Sequence, residues 1–511
     1  MKRRMKSVLS LVLALVTLLA VSSPAFSASA AYANDLPIVY VAGKNTYIYD
    51  TSGKRIYPTT GLEDMIMSKS TALSVAFASS FASGNWKGYS DVIYNMVMEQ
   101  YKDFVPNENG EVTNGTAIKP VAEPKKKTSN FGLNDYVFTY DSRLDPYVNA
   151  SYLNTYIKKV LTATGKSKVQ LIGRCLGCTL MATYLAVYGS SKIDTAIFYA
   201  SSAQGVIPLS CFFSGDIEFD SEALHRYATT EMNDDFSDFV KAMIKLSYQT
   251  SIFPMGAESV ASIYSKVAET LYPRLVLAVY GTCPGFWTMV NDEKYEKAKS
   301  VVFAGETKKY SKLISKIDKY HTNVFNKLPS ILEKCRKNGM KLAIITKYNI
   351  AMPPLFENCL KQADNLVELE SASFGAYTAN IGKTFSSAYI RYLENSGKDE
   401  YLSPDLTVDA SSCLFPDYTW FVKDLAHETL PTSVDSLIMN IFHSKSQYTV
   451  TTNKSFPQFM QYNSSDGSLS AVEGPETPSS DKKPSAFFSA LISIFAKVFG
   501  ILFAIIGIGG N

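Results

Sequence analysis

The pentapeptide Gly173-Arg174-Cys175-Leu176-Gly177 sits between an apolar strand and an apolar helix, a setting that few folds accommodate. Residues 168–172 read as a short buried strand and residues 176–188 as a helix stopped by Gly189. A strand, a sharp turn flanked by glycines and a helix form a nucleophile elbow, G-x-S-x-G, which pushes one strained residue out above a sheet. Cysteine stands here where serine is usual. The free N–H groups opening the helix favour a thiolate at Cys175 and an oxyanion beside it.

The same residues contain a C-x-x-C, Cys175 to Cys178, at a helix start, as in thiol-redox sites. Such a pair has no need of glycine two residues before and two after its first cysteine, whereas an elbow needs both. Nucleophile, redox pair and inert buried thiol are thus three readings of one segment, and the glycines favour the first.

Strands at 38–41, 135–140, 168–172, 195–199 and 342–346 alternate with helices whose apolar residues recur at i, i+3, i+4 and i+7, such as Leu153, Tyr156, Ile157 and Val160. That order implies an α/β class with parallel pairing and right-handed crossovers, and a ligand site beyond the carboxyl ends of the strands. From 206 to 320 the strand signal stops and amphipathic helices rich in Tyr, Phe and Met take over, an expected helical cap. Turn formers and aromatics at 281–287 make Phe286 and Trp287 candidates for the wall of an apolar substrate pocket, or for the cap's own core.

A cysteine nucleophile needs a base, and the base needs an orienting acid. The chain has four histidines; His225 and His321 fall in the cap and His443 at the far end of a helix. His427 lies in a loop just before the last body helix, where a base belongs in the order nucleophile, acid, histidine. Asp364 opens a turn into an apolar run between the 342–346 strand and His427 and is the expected acid; Asp405, Asp409 and Asp417 read more simply as turn or capping residues.

These segments resemble the lecithin:cholesterol acyltransferase-like lipases of the α/β-hydrolase superfamily. Residues 37–43, Pro-Ile-Val-Tyr-Val-Ala-Gly, look like their opening strand and oxyanion loop, and Tyr140-Asp141-Ser142-Arg143 like their Y-D-W-R, with Ser142 in place of tryptophan. Residues 169–177 resemble their elbow, Asp364-Asn365-Leu366-Val367 their D-G-x-V acid turn, and residues 420–427 the W-F-x segment before their histidine. The resemblance implies an α/β-hydrolase fold, with backbone N–H groups of Lys44 and Leu176 as the oxyanion hole. It also implies acyl chemistry on lipids or other esters; the cysteine spacing shows no metal-ligand pattern, and neither metal nor cofactor is expected. Serine is replaced by Cys175, and Arg174 stands where histidine is common, so an acyl-processing site is implied more firmly than a lipase.

The ends of the chain say where it works. Residues 1–33 have a basic start, an apolar stretch and a small-residue cleavage site, the pattern of a secretory signal. Without them Lys plus Arg falls from 50 to 46 against 47 Asp plus Glu, which leaves no basic stripe for nucleic acid. The run 487–510 is apolar but for Lys497, close to the roughly 20 residues that span a bilayer. The expected organisation is a signal (1–33), a core in two parts (34–205 and 321–461) around the cap (206–320), a linker (462–484) and a membrane anchor (485–511). Seven cysteines leave one over after any pairing. The expectation is an exported, membrane-tethered enzyme that cleaves or transfers acyl groups through Cys175, His427 and Asp364; a non-catalytic binding protein of the same fold and a thiol-redox protein are the alternatives.

Overall fold

The computed structural model describes residues 36–43, 47–57, 68–126, 133, 136–218, 221–222, 224–225 and 252–475, and an eight-stranded sheet runs through its centre. The strands are β1 (Ile38–Val41), β2 (Tyr136–Phe138), β3 (Val169–Arg174), β4 (Ile193–Tyr199), β5 (Lys341–Tyr348), β6 (Thr419–Lys423), β7 (Phe459–Tyr462) and β8 (Leu469–Ala471). They lie in the order β8-β7-β6-β5-β4-β3-β1-β2, all parallel except β8, which pairs antiparallel with β7. The α/β class with a mostly parallel sheet is therefore as expected.

A parallel sheet covered on both faces needs strands that are apolar on both sides, and these are. Val39, Leu171, Phe198 and Ile344 join one buried cluster, while their neighbours Tyr40, Ile172, Ile197 and Ile345 join a second. Helices α1 (Pro146–Thr164) and α2 (Leu176–Tyr188) supply Leu153, Ile157, Met181 and Leu185 to the first cluster. Helix α3 (Leu328–Lys337) adds Leu332 to it, and α4 (Thr432–His443) covers the opposite face with Leu437, Ile438 and Ile441. Helix α1 starts where Asp145 accepts from the N–H of Tyr147 at 2.9 Å and stops at Gly165, whose φ of 71° is left-handed.

Between β4 and β5 the described residues are helical, with helices at Ile207–Ser214, Ile252–Val276, Asp292–Val302 and Ser311–Tyr320. The stretch 206–320 is thus largely helical where it is described, as its composition suggests.

The C-terminal boundary differs from the sequence reading. Tyr462 ends β7, and Leu469–Ala471 pairs with Met460 to Tyr462, so the start of the expected linker at 462 belongs to the sheet. A three-residue edge strand of Ser, Leu and Ala carries no periodicity of its own; only its partner reveals it. The expected signal (1–33), the rest of the linker beyond 475 and the anchor (485–511) lie outside the described residues. Among the described residues no helix is long and apolar enough to cross a membrane. All seven cysteines are free thiols.

Candidate active site

From β1 the chain passes to β2 on one side and then to β3 on the other, so the strand order reverses at the β1/β3 crevice. In open α/β sheets that reversal is where a ligand fits. Cys175 follows β3 directly there, with φ 50° and ψ −122°, a conformation costing a non-glycine residue on the order of 1–3 kcal/mol. Two backbone bonds hold it: its N–H donates to the carbonyl of Tyr199 at 3.1 Å, and its carbonyl accepts from the N–H of Cys178 at 2.8 Å.

The glycines around it answer to backbone crowding. A Cβ on Gly43 would come within 2.7 Å of the Arg174 carbonyl oxygen, and one on Gly173 within 3.0 Å of that of Gly177. One on Gly177 would overlap the Val41 carbonyl. The β1 terminus and the α2 start can therefore approach only through glycine, and that approach lifts the Cys175 side chain, which is half-buried among buried neighbours.

Asp364 and His427 are brought together with it. His427 Nδ1 lies 2.7 Å from Asp364 Oδ2, and the Cys175 sulfur is near enough to act on the ring electrostatically. With Nδ1 committed to the carboxylate, Nε2 is the nitrogen left for the thiol. The second carboxylate oxygen of Asp364 accepts from the N–H groups of Leu366 (3.2 Å) and Val367 (2.8 Å), and Asn365 adopts φ 78°, the left-handed turn that the D-G-x-V pattern meets with glycine. Both residues are at least 97 % buried.

Burial disfavours the His427 cation, but the carboxylate of Asp364 and the Cys175 sulfur outweigh it and raise the imidazole from its ordinary 6.5 to about 10. For Asp364 burial pulls the other way, and the charge and hydrogen bond of His427 hold the carboxyl below its ordinary value. The competing acids are engaged elsewhere. Asp405 pairs with Lys423 at 3.1 Å and accepts from Ser403 and Thr407. Asp409 accepts from Ser411 N–H and Tyr389 Oη, and Asp417 from Tyr401 Oη.

Leu176 opens α2, in the first turn where backbone N–H groups have no partner within the helix. Lys44, the other expected oxyanion donor, lies outside the described residues. Phe286 and Trp287 are not where a substrate wall was expected. Phe286 stacks on Tyr280 with centroids 4.4 Å apart. Trp287 packs between Phe213 and Phe303 and donates Nε1–H to Gly281. They are buried in the interior of the helical segment. Cys178 is fully buried, its thiol pushed up by burial and directed to the Tyr199 carbonyl at 3.7 Å. No group of His, Cys, Asp and Glu suited to a metal occurs among the described residues.

Residues that the sequence reading did not single out lie beneath the histidine loop. Lys347 Nζ donates to the carbonyls of Ala426 (3.0 Å), His427 (2.9 Å) and Thr429 (2.7 Å). Tyr199 Oη donates to Thr429 at 3.1 Å. Arg174, the residue before the elbow cysteine, donates Nη2–H to the His427 carbonyl at 2.9 Å. Comparison with known proteins adds nothing to this geometry: no family model matches the chain and no curated protein is similar enough to count as a relative.

Proposed function

We propose that this protein is an exported α/β-hydrolase that cleaves or transfers acyl groups of lipid or other ester substrates, with Cys175 as nucleophile, His427 as base and Asp364 as orienting acid. The observation that carries the reading is the buried His427–Asp364 pair, bonded at 2.7 Å and within electrostatic reach of the strained Cys175 at the crevice where the strand order reverses. In this scheme the thiol proton of Cys175 passes to His427 as the sulfur attacks the ester carbonyl carbon, and the oxyanion is met by the Leu176 N–H. The C–O bond to the leaving alcohol then breaks and His427 gives that oxygen its proton, which leaves a thioester on Cys175. Water, or an acceptor alcohol, surrenders a proton to His427 and attacks the thioester; the acid or new ester departs and the thiol is restored.

Burial keeps the Cys178 thiol protonated, which weighs against the redox alternative. The apolar run 487–510 behind its polar spacer supports a membrane tether and hence a membrane-derived substrate. The test is incubation of the intact protein with a short-chain thioester and a p-nitrophenyl ester. Turnover together with an acyl adduct mapped to Cys175, both lost in Cys175→Ala, is the expected result. An adduct on another residue, or turnover by Cys175→Ala, overturns the assignment.

A further inference from the structure

The loop that carries the base is gripped from below by more charge than a loop of its length requires. Lys347 and Arg174 are 1 % and 3 % exposed. Together with Tyr199 they place five hydrogen bonds on the carbonyls of Ala426, His427 and Thr429. The Lys347 ammonium also lies 4.6 Å over the Tyr199 ring. Burying two like charges side by side is unfavourable, so their presence under a catalytic loop asks for a reason beyond packing. Three carbonyl acceptors match the three donors of an ammonium, whereas a neutral amine offers two and a lone pair. The geometry is therefore that of charged Lys347.

We propose that Lys347, supported by Arg174 and Tyr199, is a positioning residue that sets the distance between His427 and Cys175 by clamping the backbone of the 426–429 loop. The inference rests on the Cys-His reading of the site. The His427 backbone is pinned on both sides, since its N–H donates to the Asp364 carbonyl at 2.8 Å and its carbonyl receives both cations. Releasing the carbonyl side leaves the ring hinged on Asp364, and a misplacement of about 1 Å at a reacting pair can lower a rate about a hundredfold.

The clamp is also sensitive to pH. Burial first, and then Arg174, pull Lys347 down to about 7. The charged and titratable groups facing it are Arg174 and Cys175 from the elbow, Tyr199 from β4, Asp364 from the acid turn, and His427 and Glu428 from the loop. Once Lys347 loses its proton, one carbonyl faces a lone pair and the grip loosens, well before His427 itself titrates.

The experiment compares the pH profile of thioester-probe kcat for the intact protein and for Lys347→Met, which cannot donate to the three carbonyls at any pH. The expected result is a loss of at least about tenfold below pH 7 with KM unchanged, and a clearly smaller ratio above about pH 8, where the neutral amine keeps only part of the grip. Profiles that coincide, or that keep a constant ratio at every pH as a purely structural defect gives, overturn the proposal. If Lys347→Met does not fold, Lys347→Gln, which keeps an N–H pair, and Tyr199→Phe are measured in the same way and judged by the same criterion. If the intact protein turns over no probe, the acyl-processing reading fails. The clamp is then judged by iodoacetamide alkylation of Cys175 at pH 6.5, where an unchanged rate in the folded variant overturns it and a drop of about tenfold supports it.

Discussion

His427 is tied to Asp364 twice, by its backbone N–H to the Asp364 carbonyl at 2.8 Å and by its ring Nδ1 to the carboxylate at 2.7 Å. The first bond fixes where the loop lies, and the second fixes which way the ring turns. The two functions can be separated by mutation. Asp364→Asn keeps the main-chain bond, and its amide oxygen would stay with the Leu366 and Val367 N–H groups. The amide NH2 would then face Nδ1 and force the wrong tautomer. We expect turnover to fall by roughly 10³–10⁴ while the urea midpoint shifts little. A variant within about tenfold of the intact protein would argue that Asp364 is only structural.

Cys175 carries backbone strain that glycine escapes. Cys175→Gly and Cys175→Ala both remove the thiol, but only alanine keeps a Cβ at φ 50°. Relief of strain outweighs the larger chain entropy of glycine, so the glycine variant should unfold about 1 kcal/mol harder than the alanine one. Equal denaturation midpoints would mean that the turn relaxes in the absence of the sulfur.

The stability of the protein should depend on pH in a way that its two buried bases partly cancel. His427 is raised from 6.5 to about 10, so its contribution is complete below pH 6.5 and is lost as pH rises through 10. Lys347 is lowered from 10.5 to about 7, so the folded chain sheds a proton that the unfolded chain keeps, and stability grows from pH 7 towards 10.5. The intact protein should therefore show a shallow profile between pH 7 and 10. His427→Gln should gain stability across that window and Lys347→Met should lose it, as read from urea unfolding at three pH values. Three parallel profiles would contradict both assignments.

The C-terminal boundary gives a fourth expectation. Truncation after Ser479 keeps β8 and should release a folded body that still acts on small esters. Truncation after Gln461 removes β8 and the last residue of β7, which bares an unpaired strand edge beside β6. That product should aggregate on size-exclusion chromatography; a monomeric, active product would show that the terminal hairpin is dispensable.

The elbow was legible in the sequence because its glycines are forced by backbone contacts that no other residue tolerates, and Gly173 and Gly177 met that requirement at a fixed spacing. Asp364 and His427 were legible by elimination among few candidates and by chain order. Lys347 was not, since a lysine near the end of an apolar strand reads as the point where the strand reaches water. Its partners Ala426 and Thr429 are 79 and 82 residues away. Phe286 and Trp287 stayed open between two readings in the sequence, because an aromatic run has the same composition whether it lines a pocket or fills a core, and their burial favours the second. The β7–β8 hairpin was hidden by polar residues at a sheet edge, where only pairing makes a strand.

The order of strands across the sheet also sets a schedule. The elbow needs β1, β3, β4 and α2, all drawn from residues up to Tyr199, and these can pair early. The base arrives 253 residues after Arg174, with β6 and the edge strands that follow. A chain that emerges N-terminus first thus carries its thiol through about half of its length before His427 is made. On the proposed reading, assembly of the last third of the sheet and completion of the site are one event.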